Sequence, residues 1–268
     1  MSDRIKQETD DGVAWVRMCR PDVHNAFDER MIAELTACFS ALTGADDVRV
    51  VVLSGEGKSF CAGADLAWMQ KMVRYSFDEN LADARALSLM LRSIADCPKP
   101  VIARVHGAAF GGGVGLVAAC DLACALKRAT FCLSEVKLGI APAVIAPFLI
   151  EKISMSAARR YALTAERFDA AEARRIGLVH DVAATEQAMD AAIKEHIERF
   201  MRAGPQALAA TKSILTEASR FSRDAALERM AEHIARLRAS DEGQEGLKAF
   251  LEKRSARWIA SCVDDRGG

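Results

Sequence analysis

Glycine is concentrated in the middle of the sequence, between two apolar runs. Four of the five residues from Gly111 to Gly115 are glycine; one apolar run ends before them at Val105, and another spans 114–119. A strand, a glycine turn and the start of a helix together present free backbone N–H groups, and the helix dipole adds positive charge there. Glycine also lets another molecule approach that backbone closely. The stretch therefore predicts a site for an anion, or for an oxygen that becomes anionic during a reaction.

Three interpretations of this stretch compete. In the first, the glycines are spacers that let a buried helix pack closely against a sheet. In the second, they form a dinucleotide fingerprint, because 113–118 fits G-x-G-x-x-A and Glu135 follows at roughly the distance of the motif's acidic residue. That match lies in mid-chain rather than directly after a first strand. In the third interpretation, the glycines belong to an oxyanion hole for acyl chemistry.

A second candidate loop follows the apolar run at 48–53. Its tripeptide Gly57-Lys58-Ser59 is typical of phosphate loops, but that motif needs a glycine where Val52 stands. The spacing therefore excludes a nucleoside-triphosphate site of this kind.

Glu135 is the candidate acid or base. By itself it is an ordinary loop carboxylate, since most glutamates are exposed. Its apolar flanks, however, predict a dry pocket, in which the pKa of the carboxyl group would rise toward the range useful for proton transfer. These flanks are Leu133, Val136, Leu138 and Ile140.

The composition excludes several classes of function. The formal net charge of −1 over 268 residues gives no general attraction to nucleic acid or to a membrane, and no apolar run approaches the length of a membrane span. The first residues lack the apolar core of a signal peptide, which predicts a soluble cytoplasmic protein. The eight cysteines lack C-x-x-C spacing and indicate buried reduced thiols. The five histidines are scattered, so we expect no metal site.

The hydrophobic pattern predicts an α/β protein with a helical C-terminal part. A hairpin is expected around residues 10–12, and alternating strands and helices follow. Predicted strands are at 5–9, 13–18, 48–53, 100–105, 121–125, 130–133 and 179–182; residues 134–142 are predicted to be a loop. Predicted helices are at 28–42, 65–72, 77–97, 114–119, 146–153, 156–163, 169–177, 186–202, 206–218, 222–239 and 243–251. The Gly204-Pro205 pair predicts a boundary between a core of residues 1–203 and a helical segment of residues 204–268.

Three segments taken together resemble the crotonase (enoyl-CoA hydratase/isomerase) superfamily. They are residues 59–66 (SFCAGADL), 99–113 (KPVIARVHGAAFGGG) and 131–140 (FCLSEVKLGI). The resemblance extends to residues 246–253 (GLKAFLEK) and thus covers almost the whole chain. It implies a spiral of repeated ββα units, with C-terminal helices that form homotrimers and often hexamers made of two trimers. Residues 133–145 and 159–168 look most like bacterial methylglutaconyl-CoA hydratases, which act in leucine and acyclic-terpene breakdown.

The resemblance also implies a set of site residues. The backbone N–H groups of Ala64 and Gly112 would form the oxyanion hole, and Glu135 would be the catalytic acid or base. Coenzyme A would be part of the substrate, with no separate cofactor. Its adenine end would lie along Ala62, Asp65 and Leu66, and two residues of the tail segment, Phe250 and Lys253, would reach it from a subunit interface.

One departure from the family pattern leaves the reaction open. The hydratases commonly carry a second glutamate three residues after the oxyanion-hole glycine, and this sequence has Gly115 there. We expect an enoyl-CoA hydratase, with the attacking water in the space that Gly115 leaves. A Δ3-Δ2-enoyl-CoA isomerase that needs one glutamate is the first alternative, and a non-catalytic acyl-CoA-binding protein is the second. A substrate with a distal carboxylate would need a cation, for which the candidates are Lys71, Arg74 and Arg85.

Overall fold

The computed structural model describes residues 4–259, in which the chain forms nine strands and eleven α-helices. The strands are β1 (Ile5–Asp10), β2 (Val13–Met18), β3 (Val50–Gly55), β4 (Val101–Val105), β5 (Ala109–Phe110), β6 (Leu122–Leu126), β7 (Thr130–Cys132), β8 (Phe168–Asp169) and β9 (Asp181–Ala183). The helices are α1 (Glu29–Thr43), α2 (Leu66–Met72), α3 (Phe77–Ala95), α4 (Gly112–Ala119), α5 (Ala146–Lys152), α6 (Met155–Thr164), α7 (Ala170–Arg175), α8 (Glu186–Arg202), α9 (Pro205–Arg220), α10 (Arg223–Ala239) and α11 (Asp241–Leu251). Strand-helix alternation followed by four consecutive helices confirms the predicted α/β class.

The strands form two sheets. The main sheet has six strands in the order β1-β2-β3-β4-β6-β9, in which β1 is antiparallel to β2 and the other pairs are parallel. The small sheet has the order β5-β7-β8 and lies where the glycine turn and the Glu135 segment begin. Parallel neighbours bring the ends of β3 and β4, and the loops that follow them, to the same edge of the main sheet.

Strand β3 of the main sheet is buried on both faces, as the continuous apolar run at 48–53 predicts. Successive side chains of a strand alternate between the faces. On β3, Val51 and Leu53 therefore join the larger core with α1, α3 and α4, whereas Val50 and Val52 join a smaller core with α8. The candidate site lies on the side of the larger core, which includes Cys61.

The sequence pattern missed four short elements, one of which is the 3-10 helix Pro21–Val23. Strands β5 and β8 have two residues each, too few for an alternating pattern to be visible. The predicted loop at 134–142 contains a 3-10 helix, Glu135–Leu138, which ends at Gly139 with a φ of +74°. This short helix sets the position of Glu135.

Helix α9 is attached to the core by polar contacts of Lys212. Lys212 of α9 donates to Asp121 Oδ2 at 2.7 Å and to Lys99 O at 3.1 Å. Neither α9 nor α10 buries a side chain in the described chain. Their role in a trimer and the boundary at Gly204 stay predictions. Among the helices of residues 4–259, none has both the length and the apolar composition to cross a bilayer.

Candidate active site

The loop after β3 carries Ala64, the first predicted oxyanion donor. Phe27 holds this loop, because its N–H donates to Gly63 O at 2.7 Å and its carbonyl accepts from the Asp65 N–H at 2.8 Å. Gly63 adopts a φ of +91°, which glycine reaches without strain. Within residues 4–259 the Ala64 N–H, between these two bonds, donates to no protein acceptor. It is therefore free to donate to a bound oxygen.

The glycine turn carries Gly112, the second predicted donor. Gly111, with a φ of +50°, turns the chain, and α4 begins at Gly112. The Gly112 N–H is therefore one of the first helical donors, for which the helix itself provides no acceptor. A Cβ added to Gly63 would lie 3.7 Å from Gly112 N, so the two donor segments are direct neighbours. The structure thus brings Ala64 and Gly112 together, and their shared role as an oxyanion hole stays a prediction.

The position of the other glycines contradicts the dinucleotide interpretation. Gly113 and Gly115 lie inside α4, where residues 113–119 are all buried. A pyrophosphate needs the glycine motif in the turn before the helix, where it can approach the backbone. Gly113 is instead a packing position, because a Cβ there would lie 2.2 Å from Cys61 O. Gly113 therefore fits the interpretation that the glycines are spacers. That interpretation does not explain why the Gly112 N–H has no acceptor within residues 4–259.

Glu135 lies beside the glycine turn. A Cβ added to Gly111 would lie 3.2 Å from Glu135 Oε1. The other oxygen, Oε2, is buried and has no hydrogen-bond partner among the described residues. Burial raises the pKa of Glu135 above its ordinary 4.5, and an interaction with its own backbone N–H only partly offsets the rise. A buried, unpaired carboxyl group next to backbone donors is well placed to take up and release a proton.

The apolar flanks of Glu135 do not form the predicted dry pocket. Leu133 is buried, but Val136, Leu138 and Ile140 are 36%, 57% and 58% exposed. These three side chains are therefore directed toward solvent and not around the Glu135 carboxyl group. The burial of Glu135 therefore comes from the tertiary contact with the glycine turn and not from its sequence neighbours.

Gly115 leaves no empty space beside the site, contrary to the expectation from the sequence. A Cβ added there would lie 2.4 Å from Ile145 Cγ2 and 3.5 Å from Leu91 Cδ1. Ile145 is 2% exposed and immediately precedes α5. An apolar side chain therefore occupies the volume in which a side chain at position 115 would lie.

Two of the residues predicted to line coenzyme A, Ala62 and Leu66, lie close to Ala64 in sequence, one in the loop after β3 and the other at the start of α2. The Ala62 N–H donates to His24 O at 3.0 Å, which joins this loop to the earlier one around residues 20–26. Leu66 opens α2 and is 77% exposed. Both positions are accessible to a ligand, and their contact with coenzyme A stays a prediction.

Asp65, the third of these residues, is instead engaged within the protein. Its Oδ1 accepts from the N–H groups of Ala67 (2.8 Å) and Trp68 (3.2 Å), so it caps α2. Its Oδ2 lies 2.9 Å from Arg20 Nη2, and the same guanidinium nitrogen lies 3.2 Å from Asp28 Oδ2 at the cap of α1. Burial alone would raise the pKa of Asp65, but these donors outweigh it and lower the pKa below 3.8. The role of Arg20 was not predicted from the sequence. The available signal was two aspartates, Asp28 and Asp65, at the starts of two predicted helices, since such carboxylates can attract a nearby arginine.

The predicted tail contacts lie apart from these loops in the single chain. Phe250, in the last turn of α11, is 82% exposed, and Lys253 follows the helix with a φ of +53°. The main contacts of α11 are with α9 and α10. A contact of either residue with coenzyme A across a subunit interface stays a prediction.

A cavity of about 580 Å³ lies elsewhere, next to the smaller core. Trp15, Arg104, His106 and Asp190 are among its lining residues, and none of the predicted site residues is. The candidate site is therefore defined by its backbone donors and its carboxyl group rather than by this cavity.

Comparison with known proteins shows that the chain is similar to enoyl-CoA hydratases in sequence and in structure. The model of the family described as enoyl-CoA hydratase/isomerase matches residues 8–261. The crystal structure of an enoyl-CoA hydratase from Shewanella pealeana is 43% identical, with a TM-score of 0.91 over 95% of this chain and 96% of that one. Pseudomonas aeruginosa AtuE is 37% identical, with a TM-score of 0.92 over 96% and 99% of the two chains. Enoyl-CoA hydratase ACTT6 of Alternaria alternata is 33% identical over 92% of this chain and 81% of its own length.

Proposed function

Because the chain belongs to the enoyl-CoA hydratase/isomerase family, we propose that it adds water across the C2–C3 double bond of an enoyl-CoA thioester. The observation that carries this proposal is the buried Oε2 of Glu135, which has no hydrogen-bond partner within residues 4–259; Glu135 lies next to the turn that leads to the Gly112 N–H. We further propose 3-methylglutaconyl-CoA, or a related branched acyl-CoA, as the substrate. The support for this substrate is the resemblance of residues 133–145 and 159–168 to the methylglutaconyl-CoA hydratases.

Glu135 supplies the proton transfers in this reaction. Its carboxylate takes a proton from water while the water oxygen bonds to C3, and the electrons of the double bond move toward the thioester carbonyl. The enolate that forms is then protonated at C2 by the Glu135 carboxyl group. The product is a 3-hydroxyacyl thioester, and the carboxylate is regenerated. The raised pKa suits both steps, because proton exchange is easiest for a group whose pKa approaches the working pH.

Ala64 and Gly112 stabilise the negative charge of the enolate. Their N–H groups would donate to the thioester oxygen, whose charge increases along the reaction. Losing one such donor typically costs about 3 kcal/mol of transition-state stabilisation. Phe27 fixes the Ala64 segment from both sides, so the donors need little reorganisation when the charge develops.

Three cations are candidates to pair with a distal carboxylate on the substrate: Lys71, Arg74 and Arg85. Lys71 Nζ already lies 2.9 Å from Glu29 Oε1. Arg74 and Arg85 are exposed, and their side chains pair with no acidic group in residues 4–259. We therefore propose Arg74 or Arg85 as the partner of that carboxylate.

The variants Arg74→Ala and Arg85→Ala test this assignment, with Lys71→Ala as the matched control. The variant that lacks the partner should have a raised KM for 3-methylglutaconyl-CoA and an unchanged KM for crotonyl-CoA. Equal KM values in both arginine variants and the wild type would contradict this assignment.

The reaction is tested in oxygen-18 water with 3-methylglutaconyl-CoA and, separately, with a 3-enoyl-CoA. Label at C3 of a 3-hydroxy product supports hydration. A protein that binds coenzyme A thioesters but converts none of them would support the non-catalytic alternative instead.

The second candidate function is a Δ3-Δ2-enoyl-CoA isomerase, and one observation favours it. Ile145 and Leu91 fill the side of α4 at which the family's second glutamate would lie, so no second carboxyl group of residues 4–259 takes that place beside Gly115. An isomerase needs no attacking water, because one carboxylate can remove a proton from C2 and return it at C4. Rapid conversion of the 3-enoyl to the 2-enoyl thioester without incorporation of label would establish this function in place of hydration.

A further inference from the structure

Three potential metal ligands meet on the face of the main sheet that carries the smaller core. Cys124 of β6 and Asp181 of β9 are partners in register on neighbouring parallel strands. His196 comes from α8, which packs against both strands. One ligand atom of each residue lies within 4.8 Å of the others. Cys61 and Leu133, which flank the candidate active site, belong to the larger core on the other face, so the two sites are separate.

The distances within this cluster are close to those of a zinc site. Asp181 Oδ2 lies 2.6 Å from His196 Nε2 and 3.7 Å from Cys124 Sγ. In a tetrahedral zinc site, bonds of about 2.0–2.3 Å place nitrogen and oxygen ligands about 3.3 Å apart and sulfur and oxygen ligands about 3.5 Å apart. The sulfur is already at that separation. The separation between the histidine nitrogen and the carboxylate oxygen would have to increase by less than an ångström.

The thiol distinguishes this cluster from an ordinary ion pair. His233 of α10 and Glu217 of α9 form a comparable pair, with Nε2 and Oε2 2.8 Å apart, and no cysteine accompanies them among the described residues. In the first cluster, Cys124 is 1% exposed and reaches the same carboxylate oxygen as His196. The Asp181 side chain is 39% exposed, so that a metal can enter and a water can complete its coordination.

We propose that Cys124, Asp181 and His196 bind one Zn²⁺ per chain. The combination of one sulfur, one nitrogen and one oxygen ligand suits zinc, whereas magnesium and calcium prefer oxygen alone. The ion would connect β6, β9 and α8, the last strand pair of the main sheet and the helix that covers it. The ion would take no part in the proton transfers at Glu135, because it lies on the other face of the sheet.

The affinity is measured by titrating the full-length, metal-stripped protein with Zn²⁺ in competition with a chromophoric chelator. We expect one tight site per chain. Cys124→Ser and His196→Gln should each weaken it by roughly 100-fold or more, since even changes outside the coordination shell cost 10–100-fold. Cys38→Ser and His233→Gln are the matched controls and should leave the affinity unchanged. Asp181→Asn, at a partly exposed position, provides a third ligand variant if the substitution of the buried Cys124 prevents folding.

Co²⁺ then reports the ligands directly. With Cys124 as a ligand, the wild type shows a thiolate-to-cobalt absorption band in the near ultraviolet, and Cys124→Ser lacks it. Zn²⁺ should also raise the Tm of the wild type but not that of His196→Gln. Zinc affinity that is equal in the wild type and the ligand variants, or cobalt binding without the thiolate band, would overturn the proposal. Neither measurement depends on the proposed enoyl-CoA activity.

Discussion

Two carboxylates flank the candidate site, and their surroundings shift their pKa values in opposite directions. Asp65 and Glu135 are both withdrawn from solvent, and burial alone would raise the pKa of each. Asp65 receives two backbone N–H groups and the Arg20 guanidinium, so its pKa falls. Glu135 keeps one buried oxygen without a partner, so its pKa rises.

The difference shows that hydrogen-bond donors, rather than burial, separate a structural carboxylate from a reactive one. A saturated carboxylate is held as an anion and fixes the backbone around it. An unsatisfied one costs free energy to bury, and it can take up a proton or bind a substrate group. Asp65 therefore fixes the loop that carries Ala64, and Glu135 is left for the chemistry.

The largest expected effect is on activity when Glu135 is changed. Glu135→Gln is nearly isosteric, so it should fold normally and lose at least about 100-fold in kcat/KM, the scale of one acid or base group. Steady-state kinetics with the substrate found in the isotope experiment measures the loss. Asp65→Asn is the matched amide substitution and should lose far less. Retention of more than about a tenth of the wild-type turnover by Glu135→Gln would remove Glu135 from the mechanism.

The next effect is on stability when Asp65 is changed. Asp65→Ala removes the cap of α2 and one partner of Arg20, and should cost about 2 kcal/mol or more of the free energy of unfolding. Asp65→Asn keeps a capping side chain and should cost less. Urea denaturation of both variants measures the difference. If Asp65→Ala unfolds like the wild type but is as inactive as Glu135→Gln, the two carboxylates have been assigned the wrong roles.

The pH dependence of stability should have opposite signs for the two groups. The folded chain holds the Glu135 proton above pH 4.5, where the unfolded chain has released it, so this group makes stability fall as the pH rises between 4.5 and its folded pKa. The Asp65 pKa is lowered below 3.8, so its contribution is complete above that pH and is lost as the pH falls through the folded pKa.

Urea denaturation of the wild type, Glu135→Gln and Asp65→Asn between pH 3 and 7 separates the two contributions. Each tenfold change in proton affinity corresponds to about 1.4 kcal/mol. The stability of Glu135→Gln relative to the wild type should increase with pH, and that of Asp65→Asn should decrease with pH. Relative stabilities that change with pH in the same direction would contradict the comparison.

The smallest expected effect is at the tail, outside the segments that carry the two carboxylates. We predict that Lys253 contacts a phosphate of coenzyme A bound across a subunit interface. Lys253→Ala should then raise the KM for coenzyme A thioesters more than it lowers kcat. Lys248→Ala, in the last turn of α11, is the control. If Lys253→Ala changes the KM for dephospho-coenzyme A substrates as much as the KM for coenzyme A substrates, the phosphate assignment is wrong.

Local patterns in the sequence were sufficient for the elements and the family. Asp28 and Asp65 each stand at the start of a predicted helix, and both cap the helices that form there. The motifs around Ala64, Gly112 and Glu135 are short and continuous, so they are readable without the fold. The resemblance that they carry is confirmed by the family match over residues 8–261.

Only the tertiary structure decided how these segments meet. The sequence suggested open space beside Gly115, but Ile145 fills it. This contact was not predictable because the two residues are thirty positions apart and touch only when α5 packs on α4. Arg20 pairs with Asp65 across 45 positions, and the Cys124 thiol reaches a carboxylate 57 positions later. Hydrophobic periodicity and capping signals extend over one or two turns of chain, so they fix local structure. The environment of a charged group depends on packing between distant elements, which no local pattern contains.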